Sequence, residues 1–135
     1  MITYIQVNKD SKTLISPYAY PGIVILHKEI TFEVIRDAVC SEFTIPFAEI
    51  ASSSQKRVLL DPRQIMQTLA EALTPERQTK IGMYFQGREG KYKDHSSITH
   101  SKTRFYEHYQ MEPTYRNIVR RILLKIGKNT DYFDK

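Results

Sequence analysis

A single cysteine, Cys40, is the only thiol in this 135-residue chain, which excludes an intramolecular disulfide and any four-thiolate metal site built from one chain. It falls in the middle of a helical pattern, not in the setting of an activated nucleophile. The four histidines, His27, His95, His100 and His108, have no metal-ligand spacing. The chain has no GxxxxGK[ST] loop to cradle a nucleotide phosphate. No enzyme, cofactor, metal or nucleotide partner is therefore expected. Nor does any apolar run approach the roughly 20 residues needed to span a bilayer. The opening MITYIQVNKD lacks the basic-then-apolar order of a secretory signal, so the expected setting is cytoplasmic with no membrane partner. Glycine and proline together make only 11 of 135 residues and charged residues 26%, which is neither collagen-like nor disordered composition. With 41% hydrophobic residues at this length, the chain can bury one core. Internal repeats and low-complexity tracts are absent too.

What is present is an uneven charge. Residues 1–50 hold 4 Lys or Arg against 6 Asp or Glu, whereas residues 51–135 hold 16 against 9. The stretch 77–104 alone holds 7 against 2. A local positive field of this kind favours a polyanion, because neutralised phosphates release their condensed counterions.

Periodicity divides the chain into an N-terminal arm or ribbon (residues 1–28), a helical domain (29–127) and a polar tail (128–135). The first segment alternates loosely at Ile2, Tyr4 and Gln6, is punctuated by Pro17 and Pro21-Gly22, and reads as a short hairpin at most. Through residues 2–7 it is a candidate for pairing with a second copy, giving a two-fold homodimer. Helical spacing begins after Thr31, a capping residue, with Phe32, Ile35, Val39 and Phe43 on one face. Ile45-Pro46 interrupts it, and Phe47, Ile50 and Ala51 suit one short turn. A polar, basic loop through Gln55, Lys56 and Arg57 follows. Asp61-Pro62 predicts the start of a third helix carrying Ile65, Met66, Leu69, Ala70 and Leu73 inward. Thr74-Pro75 predicts a shorter fourth, with Ile81, Tyr84 and Phe85 inward and Gly87 ending it. After the turn-like REGKYK, Asp94 caps a fifth helix whose inner face is Ile98, Ser101, Phe105 and Tyr109. Pro113 opens a sixth, with Tyr115, Ile118, Val119, Ile122 and Ile126 on one side and Gly127 at its end. The expected fold is all-α, a bundle of about six helices. Tyr84, Phe85, Phe105 and Tyr109 have core spacing, not that of a platform for stacked bases. His95 reads as exposed and His100 as nearer the buried side, while Arg120, Arg121 and Lys125 read as a solvated face.

Two helices joined by a turn, the second opening with polar residues, is the geometry with which helix-turn-helix proteins enter a major groove. From about Ile30 to Ile126 the sequence resembles the C-terminal DNA-binding domain of the bacterial replication initiator DnaA, which has a Trp-repressor-like helix-turn-helix fold. The resemblance is carried by DPRQIMQTLAEALT (61–74), TKIGMYFQGR (79–88) and KDHSSITHS (93–101). It implies base or phosphate contact by Asp94, His95, Ser96 and Ser97, phosphate contact by Arg63 and Gln64, and minor-groove approach by the loop SSSQKRVLLD (52–61). Lys56 and Arg57 are the cations of that loop. Arg88, Lys91 and Lys93 lie beside the helix expected to enter the groove, Lys102 lies on its surface, and all four are assigned to DNA with it.

Three departures from the family stand out. Residues 89–93 are inserted in the turn, both family threonines are serines (Ser96 and Ser97), and Gln55 falls where the family has its minor-groove arginine. The serines keep the hydroxyl and lose the methyl that packs on a thymine methyl. With no room for the initiator's nucleotide-binding module, the chain reads as at most the DNA-binding part, standing alone. The expected function is sequence-selective binding of double-stranded DNA in replication or transcription control. A protein-interaction module that keeps the fold without DNA readout is the alternative, and structured RNA the weaker third.

Overall fold

The computed structural model describes residues 30–87 and 90–134; the arm expected over residues 1–28, with its pairing edge, and Arg88 lie outside them. Among the described residues six helices follow one another: α1 (Phe32–Phe43), α2 (Phe47–Ile50), α3 (Arg57–Leu73), α4 (Gln78–Gly82), α5 (His95–Met111) and α6 (Pro113–Lys125). The fold is an all-α helix-turn-helix bundle. The Thr31 side chain accepts a hydrogen bond from Val34 N at 3.3 Å, satisfying one of the free N–H groups that open α1. Thr44 ends the helix in the left-handed region at φ 56°. Among the described residues no helix is long and apolar enough to cross a membrane.

The third helix is the axis of the bundle. Ile65, Met66, Leu69 and Ala70 are fully buried, as their spacing predicts, and α1, α2, α4 and α5 all pack against this helix. Two aromatic groups hold its neighbours. On one side Phe32 of α1 stacks on Tyr84 with centroids 3.8 Å apart and meets the edges of Phe85 and Phe47. On the other, Phe105 of α5 contacts Tyr109, Tyr115 and Phe133. Phe85, Phe105 and Tyr109 are in the core with Tyr84 packed against it, as their spacing predicts, whereas Phe133 comes from the segment expected to be a polar tail.

Two helix starts differ from expectation. The third helix begins at Arg57, not at Asp61-Pro62, and carries Pro62 inside it. Proline there removes the hydrogen bond to the carbonyl four residues back. The additional turn nevertheless buries Leu59, 4% exposed, a gain of about 1.5–3 kcal/mol for an aliphatic side chain. Leu59 N also donates to Lys56 O at 2.9 Å, tightening that first turn. Thr74-Pro75 launches no helix. The Thr74 hydroxyl donates to Ala70 O at 2.5 Å and accepts from Glu76 N at 3.3 Å, closing α3, and α4 starts only at Gln78 and ends at Gly82. Residues after Gly127 return to the bundle: Phe133 packs on Phe105 at 4.9 Å, and Asp134 accepts from Tyr109 at 2.6 Å and from Arg120 at 2.8 Å.

Between α4 and α5 the backbone approaches itself closely. A methyl on Gly82 would overlap the carbonyl oxygen of Lys93, the residue before the Asp94 cap, so only glycine permits this spacing. The Asp94 carboxylate accepts from Ser97 N at 3.1 Å and from the Ser96 hydroxyl at 2.8 Å. The Ser97 backbone bond, then the Ser96 hydroxyl, hold its pKa below the usual carboxylate value.

Two outcomes are expected from this joint. Gly82→Ala forces the Lys93 carbonyl to move, and urea unfolding should read a loss of about 1–3 kcal/mol, the usual range for overpacking; an unchanged midpoint and slope would mean that the two helices are not held at this spacing. The lowered Asp94 pKa makes its cap stabilising above the ordinary carboxylate range, and that contribution is lost as pH falls through the lowered value. Asp94→Asn keeps a capping oxygen without the titration. Its stability should therefore decline less steeply than wild type from about pH 4 downward, and superimposable acid profiles would exclude the linkage.

Candidate nucleic-acid interface

A groove of about 770 Å³ runs between the start of α3 and one flank of α5. Its α3 wall carries Arg57, Leu60, Asp61, Arg63 and Gln64, with Gln55 just before the helix. Its α5 wall carries Ser96, Ser97, His100, Ser101, Arg104 and His108, with Lys93 just before. The α5 positions recur at three, four and seven residues, one helical stripe. This places Arg57, Arg63, Gln64, Lys93, Ser96 and Ser97 of the sequence assignment along one concavity.

The individual environments differ. Arg57 and Lys56 are exposed, Lys56 as the N-cap residue of α3. Arg63 is 4% exposed and donates Nε to Ile50 O at 2.8 Å. Its Nη2 is enclosed with no protein partner, and burial lowers its pKa. Arg63 thus ties α3 to α2 as well as flooring the groove, and its removal would disturb the fold. Gln64, half-buried, accepts from the Tyr115 hydroxyl at 3.2 Å, and burial keeps that phenol neutral by pushing its pKa up. His95 and Ser96 are exposed and Ser97 half-buried. His95 faces a second, shallower concavity on the α4 side with Arg77, Gln78 and Thr79. The first turn of α5 therefore offers polar side chains to both flanks.

Lys102 lies away from the groove, with Nζ 3.1 Å from Glu71 of α3, so its charge is engaged in joining the two helices. Lys91 is exposed on the segment before α5. His100 is exposed and lines the groove, which corrects its expected place near the core. Arg104 was missed, although its position seven residues after Ser97 was the available signal. The cations expected on a solvated face are partnered: Arg121 and Lys125 lie 2.8 and 3.1 Å from Glu42, and Arg120 lies 2.8 Å from Asp134.

Charges of both signs line the groove. Asp61 and Glu112 add carboxylates to a lining that also holds Gln55, Arg57, Lys93, Arg104 and His108. His108 Nδ1 is 2.8 Å from Glu112, and burial raises the Asp61 pKa. No cluster of three or more His, Cys, Asp or Glu fit to hold a metal occurs among the described residues.

Sequence comparison adds an independent line. The profile described as bacterial dnaA protein helix-turn-helix matches residues 32–104. Among curated relatives, the chromosomal replication initiator protein DnaA of Geobacter sulfurreducens is 39% identical over 79 residues, 58% of this chain and 17% of the relative. The same protein from Synechococcus sp. (strain JA-2-3B'a(2-13)) is 40% identical over 74 residues, 55% of this chain and 15% of the relative. That of Acinetobacter baylyi is 31% identical over 102 residues, 73% of this chain and 21% of the relative. The chain thus spans about a fifth or less of the length of these relatives. With the profile covering more than half of the chain, the chain belongs to the bacterial DnaA helix-turn-helix family.

Proposed function

We propose that the chain binds duplex DNA, with the first turn of α5 in the major groove and a phosphate strand following the groove between α5 and the start of α3. The convergence of Arg57, Gln64, Lys93, Ser96 and Arg104 on that groove carries the reading. A B-DNA major groove about 12 Å wide admits one helix, and α5 has 17 residues, the first three of them polar and not fully buried. Phosphate contacts would set register, and base edges would be read by His95 and Ser96. Asp94 has its carboxylate engaged with Ser96 and Ser97, so its contribution is chiefly to hold that turn. The printed name of the relatives supports a role in control of replication; transcriptional control would use the same contact. The carboxylates of Asp61 and Glu112 in the lining favour the second reading, a protein-interaction module without DNA readout.

Gel shifts with duplex DNA across a salt series separate the two. DNA binding through phosphates gives a linear fall of log affinity with log salt, and absence of salt-dependent affinity would leave only the protein-interaction reading. Arg57→Ala and Arg104→Ala should each weaken binding to all duplexes alike and lower the slope by about one; a loss confined to particular sequences would mean that these side chains reach bases.

His95→Ala, alone and combined with Ser96→Ala, should cost about 1–3 kcal/mol on a duplex selected from a random pool and far less on random DNA. The quantity to compare is the ratio of specific to non-specific affinity at one salt concentration, after circular dichroism has verified the fold. An unchanged ratio would remove the first turn of α5 as the reading head.

A further inference from the structure

We propose that the segment joining α4 to α5 is a second DNA-contacting element, a short basic ribbon that extends the contact along the phosphate backbone beside α5. This rests on the duplex-binding reading above. The family passes from Gly-Arg directly to Asp at this point, whereas here residues 89–93 intervene. Gln86 and Tyr92 form an antiparallel bridge, Gly87 N donates to Lys91 O, and Gly90 turns the tip at φ 76°, where a side chain would meet open space but not a comfortable backbone. The base of the ribbon is fixed on both strands. Gln86 N donates to Ala51 O at 2.7 Å and Lys93 N to Phe85 O at 3.3 Å, while Gly82 packs against the Lys93 carbonyl.

Those anchors decide where the ribbon points its chemistry. The Ala51 bond sets its first strand beside the loop that leads into Gln55 and Lys56, and Lys93 lines the groove together with Gln55 and Arg57. The ribbon, the loop before α3 and the first turn of α5 thus share one edge. On the ribbon Lys91 is exposed and Tyr92 is 63% exposed, one of the most open large hydrophobic side chains described. Lysine and tyrosine are ordinary donors to phosphate oxygens. A large aromatic side chain left in water, next in sequence to Lys91 and Lys93, offers its hydroxyl to phosphate and its ring to sugar. Residues 91–93 span at most about 10 Å of chain, and phosphates recur every 3.4 Å along a strand. The ribbon should therefore add about three nucleotides of backbone to the footprint without reaching another turn of the groove.

The test compares the full chain with Lys91→Ala and Tyr92→Ala, singly and together, on a selected duplex and on the same duplex with one flank or the other extended by about one helical turn. Both positions are exposed, so folding should be retained, and circular dichroism checks it. Wild type should gain affinity from extension on one flank only. The double variant should lose that gain and show a salt slope lower by about one, while keeping the specificity ratio that depends on His95 and Ser96. Wild-type binding with no flank dependence, or a double variant matching wild type in flank dependence and slope, overturns the ribbon proposal alone. If wild type binds no duplex at any salt, the DNA-binding reading fails with it.

Discussion

The contact between Gly82 and the carbonyl of Lys93 sets the spacing on which the rest of the interface depends. Backbone on backbone leaves no side chain to adjust, so the end of α4 fixes the position of the residue before the Asp94 cap. The cap then fixes the first turn of α5 through Ser97 N and the Ser96 hydroxyl. The joint is made by Lys93, at the end of the inserted segment, and Phe85, whose carbonyl accepts from Lys93 N, stays fully buried.

A five-residue helix such as α4 has little stability of its own. It is held by the burial of Ile81 and Phe85 and by the stacking of Tyr84 on Phe32. At its other end α5 is held by the cluster of Phe105, Tyr109, Tyr115 and Phe133, closed by the Asp134 bonds to Tyr109 and Arg120. The Lys102–Glu71 pair ties its middle to α3. A surface pair of this kind contributes about 0–1 kcal/mol, so the aromatic packing holds the helix and the ion pair adds to its registration. Rigid mounting of α5 matters for recognition, because a base-edge hydrogen bond is lost when its donor moves by even part of an ångström beyond bonding distance.

The same economy appears in the charges. Of the basic side chains in the C-terminal half, Arg121, Lys125, Arg120 and Lys102 are engaged by carboxylates, whereas Arg57 and Arg104 stand on the groove walls. Net positive charge therefore overstates how much of the surface can meet a phosphate strand. What matters is which cations the fold leaves facing one concavity.

Local chemistry determined much of this protein without any structure. Thr31 and Asp94 cap the helices they were expected to cap, and the stripe Ile65, Met66, Leu69 and Ala70 is buried because apolar residues at helical spacing have one face to hide. The resemblance carried by residues 61–74, 79–88 and 93–101 also brought out the family before its fold was seen. Tertiary structure decided the rest, because the remaining signals compete locally and only packing resolves them. Asp61-Pro62 reads as a helix start until Leu59 has a core to enter, and Thr74 reads as an N-cap until its hydroxyl bonds back to Ala70. Arg63 looks like a surface cation in sequence, yet the Ile50 carbonyl draws it inside. His100 and Arg104 join the groove, and Lys102 leaves it for Glu71, because α5 is rotated against α3 by the burial of Ile98 and Phe105. A helix's own sequence fixes which side chains share a face, but only its neighbours determine which way that face is turned.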